Sequence, residues 1–235
     1  MLLKVCGVFG PSAERDLEML GAADVDLVGL WHGVPGGEAD LTTQELVRLA
    51  DVARENAVEP VVVTFESDVR SLADAVRRSR ARWVQLHAYQ LPSVVKELKR
   101  AVRRPRLTVV KVLHVRGDRC VDLRLAAAYE RAGVDAFLLD AATDDGRVGS
   151  TGESIPPEVA TSVAGQLGRP FLLAGGIDAA RRWAYRDLER HEGFVGIDVS
   201  TGARDERGRL RLRRIETINR AWRGSLGEER HVVLQ

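Results

Sequence analysis

The sequence predicts an α/β protein built as a single (β/α)₈ TIM barrel with eight parallel strands. Its 235 residues suit such a barrel, which typically has roughly 250 residues. Short β-branched apolar runs alternate with segments of helical spacing, which is the pattern of repeated βαβ units. The apolar runs are nearly continuous, as in parallel strands that are buried on both faces. An open doubly wound sheet is the alternative, but no GxGxxG motif follows the first run to support it.

The predicted strands are the short apolar runs that recur along the whole chain. Each is four to seven residues long and rich in Val, Leu, Ile and Phe, the residues that favour strands. In chain order they are Leu2–Cys6, Asp26–Trp31, Pro60–Phe65, Trp83–His87, Leu107–Leu113, Ala136–Asp140, Phe171–Ala174 and Phe194–Val199.

The segments between the strands carry helical spacing. In one of them Val69, Leu72 and Val76 fall on one face and arginines on the other. Pro156 and Pro157 suit the first turn of a helix, where a missing N–H does no harm. The clearest predicted helices are Leu41–Glu55, Ser67–Arg80, Leu91–Val102, Arg119–Ala132 and Pro156–Leu167. No linker interrupts the pattern, so we expect one barrel domain over residues 1–223 and a polar tail over 224–235.

Composition and charge exclude several classes of protein. The chain has 35 Lys and Arg against 34 Asp and Glu, which argues against a dedicated nucleic-acid-binding protein. Its apolar runs are all far shorter than the ~20 residues of a membrane span, so no membrane association is expected. The two cysteines, Cys6 and Cys120, are too few for a disulfide framework or a structural zinc site. Both are expected to be reduced, in a cytoplasmic protein.

The carboxyl ends of barrel strands are where reactive groups are expected. Cys6 ends the first strand and Asp140 the sixth, so a thiol and a carboxylate can serve as base and acid on opposite sides of a bound sugar. Glycine-rich ends on the last two strands are typical of a phosphate site, where backbone N–H groups meet the anion. The alternatives are a cysteine that only fills the core, an aspartate that caps a helix, and glycines that only form turns.

Short motifs at these strand ends resemble, in order and spacing, those of the phosphoribosylanthranilate isomerase family. The resemblance extends from about residue 3 to residue 220, and its motifs are Lys4-Val5-Cys6-Gly7, Val84-Gln85-Leu86-His87, Val110-Lys111, Leu138-Leu139-Asp140, Gly149-Ser150-Thr151-Gly152, Leu173-Ala174-Gly175-Gly176-Ile177 and Asp198-Val199-Ser200-Thr201-Gly202. It implies a (β/α)₈ barrel that catalyses an Amadori rearrangement without metal or organic cofactor. In that family an N-(5-phosphoribosyl) amine becomes the 1-deoxyribulose 5-phosphate, in tryptophan biosynthesis.

The resemblance also implies a role for individual residues. Cys6 corresponds to the general base and Asp140 to the general acid. The predicted phosphate-binding residues are Gly175, Gly176, Ser200, Thr201 and Gly202. The predicted substrate-binding residues are Lys4, His87, Lys111, Asp198 and Gly152. For His87 and Lys111 the alternatives are a structural histidine and a member of a buried ion pair.

The catalytic roles carry expectations about protonation. A thiolate base requires a lowered pKa, so we expect Lys4, Lys111 or a helix N-terminus near Cys6. A general acid requires a proton at neutral pH, so we expect Asp140 to be partly desolvated.

The loop after the second strand departs from the family. There the family carries an arginine that binds the anthranilate carboxylate, whereas residues 31–42 of this chain contain none. The expected position falls at about Ala39, between the acidic Glu38 and Asp40. The resemblance therefore supports the reaction type better than the substrate, which is phosphoribosylanthranilate by default and a different phosphoribosyl amine as the alternative. His32, Arg147 or another loop residue is an alternative carboxylate ligand.

Two further classes of function compete with the isomerase. A non-catalytic barrel that binds a phosphosugar needs neither Cys6 nor Asp140. Another phosphosugar enzyme, such as an epimerase, would normally bring a metal-ligand set or paired aspartates. The expected partner is a small-molecule phosphoribosyl amine, and the chain is expected to be a monomer or a homodimer.

Overall fold

Eight parallel strands close into a barrel. A computed structural model describes residues 1–103, 107–142 and 153–224. The strands run in the order β4-β3-β2-β1-β9-β8-β7-β5-β6, and pairing of β4 with β5 closes the cylinder. Their bounds are β1 Leu2–Cys6, β2 Leu27–Trp31, β3 Glu59–Thr64, β4 Trp83–Leu86, β5 Thr108–Arg116, β6 Arg119–Cys120, β7 Ala136–Ala141, β8 Phe171–Leu173 and β9 Phe194–Val199. The predicted (β/α)₈ barrel is confirmed.

Helices fill the segments between the barrel strands. Thr42 and Glu45 form a reciprocal capping box that starts α2, and the Asp68 carboxylate accepts the Ser71 N–H to start α3. The helices are α1 Ala13–Ala22, α2 Thr43–Glu55, α3 Val69–Ser79, α4 Pro92–Val102, α5 Ala126–Ala132, α6 Pro157–Ala164, α7 Arg186–Glu189 and α8 Leu212–Arg223. Short 3₁₀ turns occupy Leu123–Leu125, Arg181–Tyr185 and Thr201–Ala203. Within the described ranges, no helix is long and apolar enough to cross a membrane.

The prediction of one helix over Arg119–Ala132 is wrong in its first half. β5 continues to Arg116, and β6 folds back to pair with it antiparallel. Gly117, whose φ is +55°, lies in the tight turn between them. A glycine followed by an aspartate between two short strands is a hairpin signal. That local turn outweighs the apolar spacing of the segment, so α5 begins only at Ala126.

Side chains on alternate strand positions face either the helices or the barrel interior. Part of the barrel interior is filled by an apolar cluster. Its residues are Val110, Val112, Ala136, Leu138, Leu172, Ala174 and Val195. Polar side chains replace this cluster toward the carboxyl ends of β1, β4, β7 and β9. The residues buried there are Lys4, Gln85, His87, Asp140 and Asp198. Among the described residues, the charged side chains that face the barrel interior thus lie toward one end, the end where (β/α)₈ enzymes have their active sites.

Candidate active site

Cys6 lies at the carboxyl end of β1 with its thiol in a space left by Gly29 of β2. A Cβ at Gly29 would lie 2.5 Å from Cys6 Sγ and 3.2 Å from Lys4 Nζ, so only glycine leaves room for both groups. The indole Nε1–H of Trp31 donates to Cys6 Sγ over 3.1 Å. The thiol is therefore held by one donor, close to one ammonium group.

Lys4 and Asp198 form a buried ion pair beside the thiol. Lys4 Nζ donates to Asp198 Oδ2 over 2.5 Å, and both side chains are almost fully buried. Burial by itself lowers the pKa of Lys4, but the negative charges of Asp198 and of a Cys6 thiolate outweigh it and raise that pKa. Lys4 therefore stays protonated and cannot act as a base.

The lowered pKa expected for Cys6 is corrected by the structure. Burial raises the pKa of the Cys6 thiol above its ordinary value, and nearby Asp198 raises it further. The charge of Lys4 and the hydrogen bond from Trp31 act in the opposite direction without reversing the shift. In the free protein the thiol is therefore mostly protonated at neutral pH, and these two neighbours limit the cost of ionising it.

Asp140 lies on β7 and is buried, as expected of a general acid. His87 Nε2 lies 3.4 Å from Asp140 Oδ2. Gln85 Nε2 is 2.9 Å from His87 Nδ1, and the Phe65 ring stacks on the imidazole at 5.5 Å between centroids. Burial lowers the pKa of His87, so the ring is neutral at pH 7. With Nδ1 accepting from the Gln85 amide, the imidazole proton lies on Nε2 and faces Asp140.

The thiol and the carboxyl group are linked through the Lys4–Asp198 pair. Asp198 interacts electrostatically with Lys4, Asp140 and His87. In the described part of the chain, His87 Nε2 and Asp198 Oδ1 are buried polar atoms without a hydrogen-bond partner. Such atoms are rare in folded proteins, and here one donor and one acceptor are available for a ligand. This arrangement supports the predicted substrate-binding roles of His87, Asp198 and Lys4.

The structure corrects the prediction that Lys111 binds substrate. Lys111 faces the helices, where Nζ donates to the Ala88 carbonyl and lies 5.4 Å from the centre of the Tyr129 ring. Burial lowers its pKa to about 8. Its strand neighbours Val110 and Val112 are the residues that face the barrel interior. Lys111 therefore cannot reach Cys6, and the other predicted ligand, Gly152, lies outside the described residues.

The glycine-rich ends of β8 and β9 approach each other closely. Gly175 and Gly176 adopt φ values of +83° and +59°, which L side chains rarely tolerate. A Cβ at Gly202 would lie 2.1 Å from the Ile177 carbonyl oxygen, so the two loops are in direct backbone contact. Ser200 and Thr201 precede Gly202 in the same turn. The structure thus places all five predicted phosphate-binding residues on adjoining loops.

The loop after β2 is compact and offers no cation. Ala39, the position expected for the carboxylate-binding arginine, is only 4% exposed. The Asp40 carboxylate accepts the Val34 N–H over 3.0 Å, and His32 Nδ1 donates to the Leu41 carbonyl over 2.8 Å. Asp40 and His32 Nδ1 are thus occupied in holding the loop together, and the buried methyl group of Ala39 offers no ligand to a carboxylate.

A residue absent from the sequence-based candidates lies at the mouth of the barrel. Arg204, in the loop after β9, donates from Nη2 to the carbonyls of Cys6 (3.1 Å) and Gly7. Its position two residues after the Ser200-Thr201-Gly202 motif is the signal that the sequence offered. Nothing in the sequence indicates that its guanidinium turns toward β1.

The whole-chain comparisons agree with this geometry. Residues 39–218 match the family described as "PRAI: N-(5'phosphoribosyl)anthranilate (PRA) isomerase". An N-(5'-phosphoribosyl)anthranilate isomerase of Azorhizobium caulinodans is 32% identical over 203 residues, 85% of this chain and 82% of the relative. "N-(5'-phosphoribosyl)anthranilate isomerase 2" of Methanosarcina mazei is 27% identical over 213 residues, 88% of each chain.

A solved structure of phosphoribosyl anthranilate isomerase from Thermus thermophilus superposes with a TM-score of 0.75 at 19% identity, covering 95% of this chain and 99% of that one. At that identity the superposition establishes the shared barrel. The match of the family over 180 residues and the identity to the Azorhizobium protein establish more: the chain belongs to the N-(5'-phosphoribosyl)anthranilate isomerase family.

Proposed function

We propose that this protein is a cofactor-independent isomerase that converts N-(5-phosphoribosyl)anthranilate into 1-(2-carboxyphenylamino)-1-deoxyribulose 5-phosphate. The observation that carries the proposal is the placement of Cys6 on β1 and Asp140 on β7 in one buried polar layer, linked by the Lys4–Asp198 pair. Family membership supplies the reaction class, and the retained thiol and carboxyl group supply its two proton-transfer groups. A non-catalytic phosphosugar-binding protein would need neither.

In the proposed first step, Asp140 opens the sugar ring. Its carboxyl proton goes to the ring oxygen, the bond from C1 to that oxygen breaks, and the amine nitrogen donates its electron pair to form a Schiff base. His87 Nε2, which carries the imidazole proton, lies 3.4 Å from Asp140 Oδ2, so the charge left on Asp140 faces a donor. Asp140 is buried in the polar layer, where water is largely excluded from the reacting atoms.

In the proposed second step, Cys6 removes the proton on C2. The electrons of that C–H bond form the C1–C2 double bond and neutralise the Schiff base nitrogen, which gives an enolamine. Tautomerisation of the enolamine then produces the ketone. The Lys4 ammonium and the Trp31 indole N–H stabilise the thiolate that performs this step. Asp198 Oδ1, a buried acceptor without a partner among the described residues, suits a sugar hydroxyl or the amine N–H.

The adjoining loops after β8 and β9 are the proposed phosphate site. Gly175 and Gly176 have positive φ, and a side chain at Gly175 or Gly202 would clash with the neighbouring backbone, so only glycine lets the two loops lie together. Backbone N–H groups of such loops are suited to bind an anion. Ser200 and Thr201 add hydroxyl groups beside it. Phosphate bound there anchors one end of the substrate, so that C1 and C2 lie between Cys6 and Asp140.

The proposed reaction belongs to tryptophan biosynthesis, and we propose a cytoplasmic location. The mechanism requires a reduced thiol, and both Cys6 and Cys120 are free cysteines. One chain supplies every group named in the mechanism, so a monomer or a homodimer is sufficient.

A second candidate substrate is a different phosphoribosyl amine. It is favoured by the loop after β2, where a buried Ala39 stands between Glu38 and Asp40 and no arginine is present. An isomerase with this loop retains the ring-opening and C2 deprotonation machinery while its amine pocket differs.

A fluorescence assay tests the proposal directly. Phosphoribosylanthranilate is generated in situ, and its fluorescence is followed after addition of the protein. We expect turnover in the ordinary enzyme range, ~1–10³ s⁻¹. Folded protein that binds the reduced product analogue but leaves the fluorescence unchanged would exclude phosphoribosylanthranilate as the substrate and point to another amine.

The Trp31→Phe variant is expected to move the pH profile of the reaction upward. Loss of the indole N–H removes one of the two groups that counteract burial, so the pKa of Cys6 rises further. The thiolate fraction then falls at every pH below that pKa, and kcat/KM falls by about 10-fold near neutrality, the worth of one hydrogen bond to a charged group. The measurement is kcat/KM against pH for the wild type and the variant. If kcat/KM rises with pH over the same range in the variant as in the wild type, the Trp31 donor does not tune the base.

A further inference from the structure

We infer that Arg204, in the loop after β9, binds the carboxylate of the amine substrate and so replaces the arginine that the loop after β2 lacks. This inference rests on the proposed function and specifies its substrate class: an aromatic amine with a carboxylate next to the nitrogen. Arg204 reaches this role from a different strand of the barrel than the family's arginine does.

The first support is the position of the guanidinium relative to the base. Arg204 Nη2 donates to the main-chain carbonyls of Cys6 and Gly7, and a Cβ at Gly7 would lie 3.3 Å from that nitrogen. The carbonyl and the thiol of Cys6 are only a few bonds apart. In the substrate the amine nitrogen is on C1, next to the C2 that Cys6 deprotonates. A carboxylate adjacent to that nitrogen therefore falls within reach of the same guanidinium.

The second support is unused binding capacity. A guanidinium has five N–H donors, and those of Arg204 make three hydrogen bonds, the third to the Gly208 carbonyl at 2.8 Å. All three acceptors are neutral carbonyls. Among the described residues Arg204 takes part in no ion pair, although it is half-buried and burial lowers its pKa. The Asp16 carboxylate of α1 interacts with Arg204 electrostatically but forms no ion pair with it among the described residues. A half-buried cation with two donors free therefore still suits a carboxylate.

The third support is that the hairpin around Arg204 leaves it free. The adjacent carboxylate, Asp205, is occupied by Arg209, Arg211 and the backbone N–H of Arg207. Arg204 pairs with Leu210 across this hairpin, and Arg211 N–H donates to the Ala203 carbonyl. The side chain is thus fixed before substrate arrives, which reduces the entropy lost on binding.

The fourth support is the aromatic neighbour. A Cβ added at Gly7 would lie 4.0 Å from Trp31 Nε1 and 3.3 Å from Arg204 Nη2. An indole ring and a guanidinium therefore flank the same space above Cys6. Together they match an aromatic ring that carries a carboxylate better than an alkyl amine or a cationic one.

Two matched ligands test the inference by binding, without relying on turnover. One is the reduced product analogue with the 2-carboxyphenylamino group, and the other has a phenylamino group with hydrogen in place of the carboxylate. Affinities are measured by calorimetry for the wild type, Arg204→Gln, Arg204→Lys and the control Arg207→Gln, which removes an exposed arginine from the same hairpin. We expect the wild type and Arg207→Gln to prefer the carboxylate ligand by about 10- to 100-fold.

Arg204→Gln is expected to abolish that preference while its affinity for the phenylamino ligand stays within about 3-fold of the wild type. Arg204→Lys should restore part of the preference, because it keeps the charge and loses the planar fork. If Arg204→Gln loses affinity for both ligands equally, the inference is overturned, since Arg204 would then bind phosphate or only position the loop after β1. A wild type without preference would overturn it as well, and this comparison does not depend on any variant folding.

The outcomes separate this inference from the proposed reaction. An Arg204-dependent preference in a protein that does not isomerise phosphoribosylanthranilate would support the carboxylate site and refute the proposed reaction. Turnover without such a preference would support the reaction and refute the role of Arg204.

Discussion

Replacement of Cys6 by alanine is expected to lower kcat for phosphoribosylanthranilate by about 10³-fold or more. General acid–base catalysis typically contributes about 10²- to 10⁴-fold. Among the described residues of the polar layer, no other group can replace the thiol in the proposed mechanism. Lys4 is held protonated by Asp198, and burial keeps His87 neutral with its proton directed toward Asp140. Binding of the reduced product analogue should change by no more than a few fold, because the phosphate site and Asp198 are untouched.

The matched control for this variant is Cys120→Ala. Burial raises the pKa of Cys120 to about 11, and the residue lies on β6 next to the helices, away from the polar layer. Its replacement should leave kcat within about 2-fold of the wild type, as expected of a residue outside the chemistry. Cys6→Ser keeps an acceptor for the Trp31 N–H but has far too high a pKa to ionise, so it should be as inactive as Cys6→Ala. Normal turnover by either Cys6 variant would disprove the role of the thiol.

Most of the barrel was predictable because short local segments of the sequence are enough to indicate its strands. Runs such as Ala136–Asp140 and Phe194–Val199 are short and mostly apolar, they recur between segments of helical spacing, and the structure has a strand at each of the eight predicted runs. The hairpin at Gly117 was not predicted because its second strand, β6, lies in a segment that also fits the apolar spacing of a helix. There the turn residues decided the structure, and the periodicity was misleading.

The direction of individual side chains was the weaker part of the prediction. Lys111 lies in the run Thr108–Arg116, whose nearly continuous apolar sequence has no alternation from which to read which face is inside. Arg204 shows the complementary difficulty, because a charged residue in a loop does not specify in sequence which strand end it will reach. The residues that end a strand, Cys6 and Asp140, were easier to identify, because strand termini all converge on one face of a barrel.

The raised pKa of Cys6 was also beyond sequence analysis. A neighbouring lysine was expected to lower it, and the structure does place Lys4 there. The sign of the shift depends on how completely the thiol is desolvated and on whether the charge of the lysine is already neutralised. Cys6 is buried and Lys4 is paired with Asp198, so burial prevails. We therefore expect the thiol to lose its proton to solvent only when substrate is bound, because the positive Schiff base then lies beside the thiolate.

Asp140→Asn is expected to lower kcat by about 10²- to 10⁴-fold, the usual contribution of general acid catalysis. The amide has nearly the same shape as the carboxyl group and can still accept a hydrogen bond from His87 Nε2, but it has no acidic proton for the ring oxygen. Substrate should therefore bind with its ring closed and remain unconverted. The variant should bind the reduced product analogue, which is already open, within a few fold of the wild type.

The reaction step that is blocked distinguishes the Asp140 variant from the Cys6 variant. If Asp140 opens the ring, phosphoribosylanthranilate bound to Asp140→Asn stays closed, and its fluorescence persists in a single-turnover experiment with excess protein. If Cys6 acts second, substrate bound to Cys6→Ala can still open to the Schiff base. Borohydride then reduces this Schiff base to an open-chain amine. Substrate bound to Asp140→Asn stays closed and gives no such reduced product. Asp118→Asn, which changes an exposed carboxylate on the hairpin before β6, is the control and should retain full activity. Trapping of equal amounts of adduct from both variants would show that another group opens the ring, and the neutral His87 with its Nε2 proton would be the first residue to test.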